Sequence, residues 1–600
     1  MPLSRREFLG AVTAPAFSQS VNPRGVARRP PPPNIVYVMS DDQGYGDLAC
    51  HGNPVLHTPN LDRLHAESLR LENFHVSPTC APTRSALMTG RYTNLVGAWH
   101  TIQGRSLLHR DEVTLADCLQ SAGYRTGIFG KWHLGDNYPF RPQDRGFAET
   151  LVCGGGGVWQ TPDHFGNDYF DDTYLHNGKP EQFTGFCTDV FFRAAQQFID
   201  QSARQAKPFF CYLTPNAPHG PMWGPEKNRG RYENVKGLRE PDFYGMIENL
   251  DENIGRLRAF LTARGLAANT IFVFTTDNGT ASGQQVHNAG MRAAKGSPYE
   301  GGHRVPFFLH WPAGGFHEGR GVNLLSAHID ILPTLLSFTG ARHPAPAKLH
   351  GQSLAPFLTP NAKAPWPSRT LVTDSQRGED LVKWRQAAVM TGQYRLVSPS
   401  LGGQPDPRLE LYDIQADPGQ QTDLAAAQPQ IVAQLRSAYE SWWTTVSARG
   451  NEYARIILGD PHENPSRLTA HDWHGAGAEK IWNQRAIRQA PGVNGFWAVE
   501  TRAGRYRFEL RRWPEELRLS LSAPFADPSP NRETAAGRAV PVTRARIRIG
   551  AEDRTIDVKP ADTAAVFEFS LPAGPAELQT WLISPDGSER GAYYVYARRL

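Results

Sequence analysis

The sequence has few cysteines, few long apolar runs and little excess of one charge. The six cysteines among the 600 residues all lie at or before Cys211 and none forms a CxxC pair, so neither a zinc ribbon nor a disulfide scaffold is expected. No apolar run of membrane-spanning length follows the first twenty residues, which excludes a multi-pass membrane protein and gives no reason to expect a stable membrane anchor. The 63 basic and 59 acidic residues leave a net charge of +4, and without a clustered basic face this does not indicate nucleic-acid binding.

The N-terminal residues resemble an export signal. Two adjacent arginines, Arg5 and Arg6, are followed by Phe8 and Leu9, a pattern typical of twin-arginine signals. A short, weakly apolar stretch with small residues suited to cleavage comes next. The alternative is a disordered basic tail. We predict an export signal and linker over residues 1–33 and therefore a periplasmic or extracellular protein.

Apolar runs and helical patterns alternate along the first half of the chain. Residues 34–39 form a short apolar run that ends at Asp41 and Asp42, as a buried parallel strand would. Leucine and isoleucine recur every three or four residues between Ile247 and Leu261, which predicts a helix with one apolar face. Further strand candidates are residues 126–129, 208–213, 271–275 and 305–309. The alternation predicts an α/β sheet with helices on both faces.

Polar residues follow two of these predicted strands directly. Asp41 and Asp42 come after the first, and Asp277 and Asn278 come after the strand at 271–275. Ligands of such sheets bind beyond the carboxyl ends of the strands. We therefore expect these four side chains at one edge of the sheet.

The pattern changes beyond residue 367. Residues 384–397 and 409–414 predict antiparallel strands, and residues 431–446 predict a helix. After residue 450 apolar residues alternate with polar ones, for example over 506–510, 517–521, 547–549 and 567–571. Several short alternating strands separated by turn residues indicate a β-sandwich.

The sharpest motif is Cys80-Ala81-Pro82-Thr83-Arg84. A chance match to C-x-P-x-basic in a chain of this composition has an expectation of roughly 0.05. Pro82 near a helix start would place Cys80 at the helix N-terminus, where anionic groups are favoured. The alternative is a cysteine that is simply part of the core.

Together with further motifs, this segment resembles the formylglycine-dependent sulfatases, arylsulfatase-like members of the alkaline-phosphatase superfamily. The resemblance covers about residues 34–450 and is most specific over 34–310. The other motifs are Gly90-Arg91-Tyr92, Gly130-Lys131-Trp132-His133-Leu134-Gly135, Pro218-His219-Gly220, Asp277-Asn278-Gly279 and Lys295-Gly296.

The resemblance implies an α/β fold with an alkaline-phosphatase-like mixed sheet flanked by helices, a small C-terminal α+β subdomain and a further β-rich module. Several domains also agree with the length, at roughly 100–200 residues per domain. The predicted boundaries are 1–33 for the export signal and linker, 34–366 for the sulfatase catalytic domain, 367–450 for the subdomain and 451–600 for the β-rich accessory module.

Four residues are candidates for a metal site. The adjacent carboxylates of Asp41 and Asp42 would repel each other without a cation between them. Asp277 and Asn278 add hard oxygen ligands, and an oxygen-only set favours Ca²⁺ or Mg²⁺ over zinc. For each aspartate alone, a helix cap or a surface turn is the alternative. The resemblance adds Cys80, in its modified form, to this metal site.

The resemblance also implies the nucleophile. In the family, the cysteine that Cys80 matches is oxidised to formylglycine by a formylglycine-generating enzyme, which is therefore an expected partner during maturation. The aldehyde hydrates to a geminal diol, and one hydroxyl attacks the sulfur while the metal polarises both that hydroxyl and a sulfate oxygen. A plain Ser or Cys nucleophile would leave a covalent sulfo-enzyme that needs hydrolysis.

The remaining catalytic residues are assigned by the same motifs. Lys295 would stabilise the sulfuryl group, while Lys131 and Arg84 would orient and stabilise the diol. His219 is placed as the general acid that protonates the leaving alcohol. His133 would take the proton from the second hydroxyl, which expels sulfate and restores the aldehyde.

The expected function is hydrolysis of a sulfate ester, on a sulfated carbohydrate or an aryl sulfate. A phosphodiester or phosphonate monoester hydrolase of the same superfamily is the nearest alternative, because these esters are similar in shape. A noncatalytic carbohydrate-binding protein is an alternative of another class. The sequence does not name the leaving group.

Two other segments stand out in the sequence. The run Gly154–Gly157 lacks a following Lys-Ser/Thr, so a mobile loop is expected there and not a phosphate cradle. The segment His471-Asp472-Trp473-His474 is expected to be a packed linker; the alternative is a return to the cleft, where Trp473 would contact a sugar.

Overall fold

The centre of the computed structural model is a ten-stranded mixed sheet. The structure describes residues 31–359, 362, 365–526 and 536–600, so most of the predicted export signal lies outside the described residues. The sheet order is β11-β2-β10-β9-β1-β8-β4-β5-β6-β7, and β3 pairs with β12 separately. The strands of this region are β1 (Asn34–Ser40), β2 (Leu69–Leu71), β3 (Phe74–His75), β4 (Arg125–Lys131), β5 (Glu149–Cys153), β6 (Thr173–His176), β7 (Lys179–Gln182), β8 (Phe209–Thr214), β9 (Thr270–Thr276), β10 (Phe307–His310), β11 (Gly321–Val322) and β12 (Ser326–Ala327).

The central strands β9, β1, β8, β4 and β5 are parallel, and β10 and β6 join them in antiparallel pairs. Alternate residues of β1 contribute to opposite cores, Ile35 and Tyr37 to one and Val36 and Val38 to the other. Because both faces are covered, these strands read as continuous apolar runs. The predicted strands are confirmed, and their ends lie within two residues of the observed ones.

Helices cover both faces of this sheet, as predicted. Helices α2, α3 and α8 contribute to one core, and α1, α4 and α6 contribute to the other. Among the described residues, no helix combines the length and the apolar character that crossing a membrane requires. The helices are α1 (Pro59–Glu67), α2 (Cys80–Thr89), α3 (Leu115–Ser121), α4 (Cys187–Arg204), α5 (Glu226–Arg229), α6 (Pro241–Ala263), α7 (Glu300–His303), α8 (Ile331–Thr339) and α9 (Ala355–Leu358).

A four-stranded antiparallel sheet follows, with helix α10 (Pro429–Val446) packed on it. Tyr439 is buried between this helix and the sheet, and Trp442 and Trp443 pack beside it. The predicted antiparallel strands and helix are confirmed. The strands are β13 (Leu371–Asp374), β14 (Ala387–Met390), β15 (Tyr394–Ser398) and β16 (Glu410–Asp413).

The last part of the chain forms two sheets that share one apolar core, the sandwich that the period-2 alternation predicted. Leu107, Phe140 and Phe165, from the first part of the chain, belong to the same core. The elements are β17 (Ile456–Leu458), β18 (Ser466–Thr469), α11 (Gln484–Gln489), β19 (Phe496–Thr501), β20 (Gly504–Arg511), β21 (Arg544–Ile549), β22 (Glu552–Asp557), β23 (Ala565–Leu571), β24 (Gly574–Ile583), β25 (Glu589–Arg590) and β26 (Tyr594–Arg599).

The strand predicted at residues 517–521 is wrong. A 3₁₀ turn, Glu515–Leu517, follows Pro514, and Arg518 then adopts the left-handed backbone conformation. Residues in that conformation interrupt a strand. The alternating leucines therefore belong to a loop, in which Leu517 and Leu519 are only partly buried.

Candidate active site

Two pairs of polar residues meet at the carboxyl edge of the sheet. Ser40 at the end of β1 lies opposite Thr276 at the end of β9, which brings Asp41 and Asp42 beside Asp277 and Asn278. The backbone N–H of Asp42 donates to Asp277 Oδ1 at 3.1 Å, and Asn278 Nδ2 donates to Asp42 Oδ1 at 2.9 Å. All four residues are buried. The expectation that they share one edge is confirmed.

Cys80 is the first residue of α2, as predicted from Pro82. Its Sγ lies 3.6 Å from Asp41 Oδ1 and 3.8 Å from Asp42 Oδ1. All six cysteines are free thiols. Cys80 differs from the other five in its position beside two carboxylates and several cations.

Lys131 and Lys295 each pair with one of these carboxylates. Lys131 Nζ lies 2.7 Å from Asp41 Oδ2, and Lys295 Nζ lies 2.5 Å from Asp42 Oδ1. Burial alone would raise the pKa of the Cys80 thiol, but the positive charges of Lys131 and Lys295 lower that pKa to about 7. The site therefore favours an anion at the position of the Cys80 side chain.

Arg84 binds the third carboxylate. Its NH2 and Nε atoms donate to Asp277 Oδ2 at 2.7 and 3.2 Å, and NH1 donates to the carbonyl oxygen of Lys131 at 3.0 Å. One guanidinium thus joins the end of β9, the end of β4 and helix α2. A lysine could not make all of these contacts from one rigid group.

The two motif histidines have opposite electrostatic environments. Burial lowers the pKa of His219, but the carboxylates of Asp41 and Asp42 raise it above its usual value, and its Nε2 lies 3.8 Å from Asp42 Oδ2. Burial and the charge of Lys131 hold the pKa of His133 well below its usual value. Such a pair suits an acid and a base at one site.

His133 is fixed by contacts on both sides. Its backbone is in the left-handed conformation, and its Nε2 lies 2.8 Å from the carbonyl oxygen of Thr101, so Nε2 carries the proton and donates it. Nδ1 is buried and has no hydrogen-bond partner among the described residues. The free lone pair on Nδ1 is what a base requires.

The residues at this edge fit a hard cation. Ligand atoms of Asp41, Asp42, Cys80 and His219 lie within 4.8 Å of one another. Asn278 Oδ1 is buried without a hydrogen-bond partner among the described residues, so an amide oxygen remains free to bind a cation. The two oxygens of Asp277 already accept hydrogen bonds from Asp42 and Arg84.

The glycine run is a loop, as predicted, but its four glycines are buried and packed against the active-site histidines, which a mobile loop would not be. A Cβ on Gly156 would lie 2.4 Å from His133 Cε1, and one on Gly157 would lie 2.6 Å from Asn216 Nδ2. The backbone N–H of Gly155 donates to Asp136 Oδ1 at 2.9 Å. Apart from the run of four glycines itself, no local pattern in the sequence indicates that this loop belongs to the site.

The segment 471–474 lies partly as expected. Trp473 is buried in the β-sandwich core, so the suggested contact of Trp473 with a sugar is wrong. His471, however, lies beside His133, with ring centroids 6.2 Å apart. The return of this segment to the cleft, the alternative left open above, is thus made by His471 and not by Trp473.

Comparisons with known proteins agree with this geometry. A family model described as Sulfatase matches residues 33–341, more than half of the chain. The chain belongs to the sulfatase family. A second model, described as the C-terminal part of N-sulphoglucosamine sulphohydrolase, matches residues 294–442. Both models end before the β-rich region at 451–600.

Relatives of known activity are similar over most of their own length. Human arylsulfatase A is 32% identical over 505 residues, which cover 73% of this chain and 95% of that protein. Human N-acetylgalactosamine-6-sulfatase is 31% identical over 371 residues, covering 56% and 67%. The crystal structure of Ps i-CgsB in complex with k-i-k-neocarrahexaose is 27% identical, covers 71% of this chain and 95% of that chain, and has a TM-score of 0.62.

The sulfatase is thus an enzyme that hydrolyses sulfuric esters. The predictions of the family, of the α/β fold class and of sulfate-ester hydrolysis are confirmed. In this fold the buried acids, the cations and the two histidines gather where ligands of parallel sheets bind.

Proposed function

We propose that this sulfatase removes sulfate from a sulfated carbohydrate by means of a formylglycine made from Cys80. The observation that carries the proposal is the position of Cys80, whose Sγ is 3.6 Å from Asp41 and 3.8 Å from Asp42 at the start of a buried helix. A divalent cation, Ca²⁺ or Mg²⁺, would be held beside it. The proposed ligands are Asp41, Asp42, Asp277, Asn278 and the modified Cys80.

The two groups supply chemistry that the unmodified chain lacks. When formed, the hydrated aldehyde of formylglycine supplies the hydroxyl that attacks sulfur. When bound, the cation supplies a Lewis acid that polarises oxygen atoms in the site. Cys80 is the proposed source of the first group, and a formylglycine-generating enzyme is the proposed partner that converts it.

The cationic side chains neutralise charge around the reacting group. Lys295 is the most exposed of them, with 17% of its side chain accessible, and we assign it to the sulfate group. Lys131 and Arg84 are buried and hold Asp41 and Asp277 in place, so they orient the nucleophile. These charges act strongly because the site is largely shielded from water.

The two histidines handle the protons. Nδ1 of His219 lies 2.6 Å from the carbonyl oxygen of Gly220 and donates to it, which leaves Nε2 facing Asp42 and the site. A pKa raised above the usual value equips His219 to protonate the leaving alcohol. His133, held neutral and with Nδ1 free, is equipped to remove a proton from the nucleophile side.

A sugar leaving group is supported by the relatives. One is named N-acetylgalactosamine-6-sulfatase, and Ps i-CgsB was crystallised with k-i-k-neocarrahexaose, an oligosaccharide.

We also propose that the paired arginines near residue 5 direct export of the enzyme. A fusion of residues 1–33 to a reporter, with both arginines changed to lysine as the control, would test that step.

A side-by-side kinetic comparison tests the function itself. We expect the purified, matured enzyme to hydrolyse 4-nitrophenyl sulfate with a kcat/KM well above that for bis(4-nitrophenyl) phosphate. The variant Cys80→Ala should lose both activities, because it removes the nucleophile. A higher kcat/KM on the phosphodiester would replace the proposal with the phosphodiesterase alternative.

A further inference from the structure

Three buried histidines, each with an unpaired nitrogen, adjoin the active site. His100, His133 and His471 are 7%, 4% and 2% exposed. The unpaired atoms are His100 Nδ1, His133 Nδ1 and His471 Nε2, none of which has a hydrogen-bond partner among the described residues. The rings of His133 and His471 lie 6.2 Å apart. Buried polar atoms nearly always have a partner, so this grouping calls for a ligand.

His471 comes from the β-rich region beyond the two family models. The backbone N–H of Ala470 donates to the carbonyl oxygen of Tyr593 in the sandwich at 2.8 Å, which fixes the segment at that end. The N–H of Gln103 donates to the carbonyl oxygen of His471 at 3.0 Å. Thr101, whose carbonyl oxygen holds His133, lies on the same loop as Gln103. The β-sandwich therefore holds His471 against the loop that positions His133.

Asp472 sets the tautomer of His471. His471 Nδ1 lies 3.2 Å from Asp472 Oδ1, and a carboxylate can only accept, so Nδ1 carries the proton. Nε2 is then left with a lone pair that can accept a hydrogen bond. The segment thus presents an acceptor, already oriented, beside His133.

His100 is the second acceptor-capable group. Burial, together with the charge of Arg377, lowers the pKa of His100 to about 3, so its ring is neutral at ordinary pH. A neutral ring gives no attraction for an anion but binds a hydroxyl group well. A sugar hydroxyl can both donate and accept a hydrogen bond, so it can pair with an imidazole nitrogen whether or not that nitrogen carries a proton.

We propose that His471 and His100 form a subsite that binds hydroxyl groups of the sugar that leaves after desulfation, next to His133. This inference rests on the proposed function. The β-rich region then contributes directly to substrate selection. An aryl leaving group such as 4-nitrophenol has no free hydroxyl besides the ester oxygen, so it cannot use this subsite.

The test compares two classes of substrate in His471→Gln, which keeps volume, and in His471→Ala. The sugar probes are O-sulfated galactose, galactosamine and glucosamine monosaccharides and k-i-k-neocarrahexaose, and the aryl probe is 4-nitrophenyl sulfate. We expect the ratio of kcat/KM for the best sugar to that for the aryl ester to fall about tenfold in both variants, since a site built for a hydroxyl discriminates through that contact. His100→Ala should lower the same ratio.

Two controls separate a binding role from a structural one. His462 lies in the same β-rich region and its side chain is 67% exposed, so His462→Ala should change neither rate. The inhibition constant for inorganic sulfate should stay constant in His471→Gln, because sulfate uses the cations and not this subsite.

The outcomes also separate this inference from the proposed function. A parallel fall on sugar and aryl esters in His471→Gln, or no fall on either, would overturn the subsite. Failure of the wild-type enzyme on every sulfated sugar, with activity on 4-nitrophenyl sulfate retained, would overturn both the subsite and the proposed sugar substrate, and it would leave the sulfatase activity standing. No activity of the matured wild type on any sulfate ester would instead contradict the proposed function.

Discussion

At the scale of single residues, the active site depends on buried opposite charges that compensate one another. Asp41, Asp42 and Asp277 face Lys131, Lys295 and Arg84 in close pairs. A buried ion that loses its partner destabilises the folded state by several kcal/mol, so removal of one of these residues also affects its paired residue. The sequence identified all six: Asp41, Asp42 and Asp277 directly follow predicted strands, and Arg84, Lys131 and Lys295 were assigned by the family resemblance.

The guanidinium of Arg84 should not be replaceable by an amine. Arg84→Lys keeps the charge but loses the simultaneous contacts to Asp277 and the Lys131 carbonyl, so we expect kcat to fall at least tenfold, about 1.4 kcal/mol. Steady-state kinetics on 4-nitrophenyl sulfate measures this. Arg91→Lys, which alters a pair with Glu112, is the control. Equal kcat values in Arg84→Lys and wild type would refute the role.

His219→Ala should lower kcat most for substrates with poor leaving groups. A general acid contributes about 10²–10⁴-fold when the leaving oxygen needs a proton. We therefore expect a loss of that size on a sugar sulfate and a much smaller loss on 4-nitrophenyl sulfate, whose leaving group departs unprotonated. His133→Ala should slow both esters. Equal losses on both esters in His219→Ala would show that it is not the acid.

Removal of the cation should abolish activity reversibly. Chelation leaves three buried carboxylates without the ion, so both kcat and the melting temperature should fall, and Ca²⁺ or Mg²⁺ should restore them. Asp42→Ala should behave like the chelated enzyme and not respond to added metal. Full activity at a metal content of zero by elemental analysis would rule out the site.

At the scale of elements, local sequence patterns predicted the strands and helices whose burial depends on their own residues. Strands β1, β8 and β9 were recognisable because both faces are buried and few polar residues interrupt them. Alternation alone failed at 517–521, where Pro514 and the left-handed Arg518 stop a strand that the leucines suggest. No local sequence pattern predicts the contacts that Gly156 and His471 make with His133, because these contacts join segments that are distant in the sequence.

Gly156 tests the loop at the active site. Its φ is not positive, so Gly156→Ala is allowed by the backbone, but the new methyl would lie 2.4 Å from His133 Cε1. We expect a loss of kcat of at least tenfold, about 1.4 kcal/mol, with a small change in melting temperature. A Cβ on Gly392 would meet no atom within 4 Å, so Gly392→Ala is the matched control. Normal kcat in Gly156→Ala would contradict this placement.

At the scale of the whole molecule, buried ion pairs join parts of the chain that lie far apart in sequence. Glu300 of α7 and Arg395 of β15 are both buried, with Oε1 and Nε 2.7 Å apart, and Arg395 also donates to Asn73 at 3.0 Å. Burial alone would raise the pKa of Glu300, but Arg395, His75 and His303 hold it well below its usual value. This pair therefore stabilises the folded state above the pKa that Glu300 has when unfolded.

Glu300→Gln should lower the free energy of unfolding by about 3–5 kcal/mol at neutral pH, because Arg395 is left buried without its partner. The pKa of Glu300 is lowered by folding, so this contribution is lost as pH falls through the acidic range. The difference between wild type and variant in denaturant titrations should therefore shrink toward pH 3. A difference that is constant with pH would argue against the ion pair.

Cys80, once converted to formylglycine, is the proposed nucleophile of this sulfatase. Peptide mass spectrometry of the enzyme, made with and without a formylglycine-generating enzyme, measures the converted fraction, and the Cys211 peptide is the internal control that should remain a thiol. We expect kcat on 4-nitrophenyl sulfate to rise in proportion to the aldehyde fraction at Cys80. Full activity in a preparation in which Cys80 is entirely an unmodified thiol would contradict it.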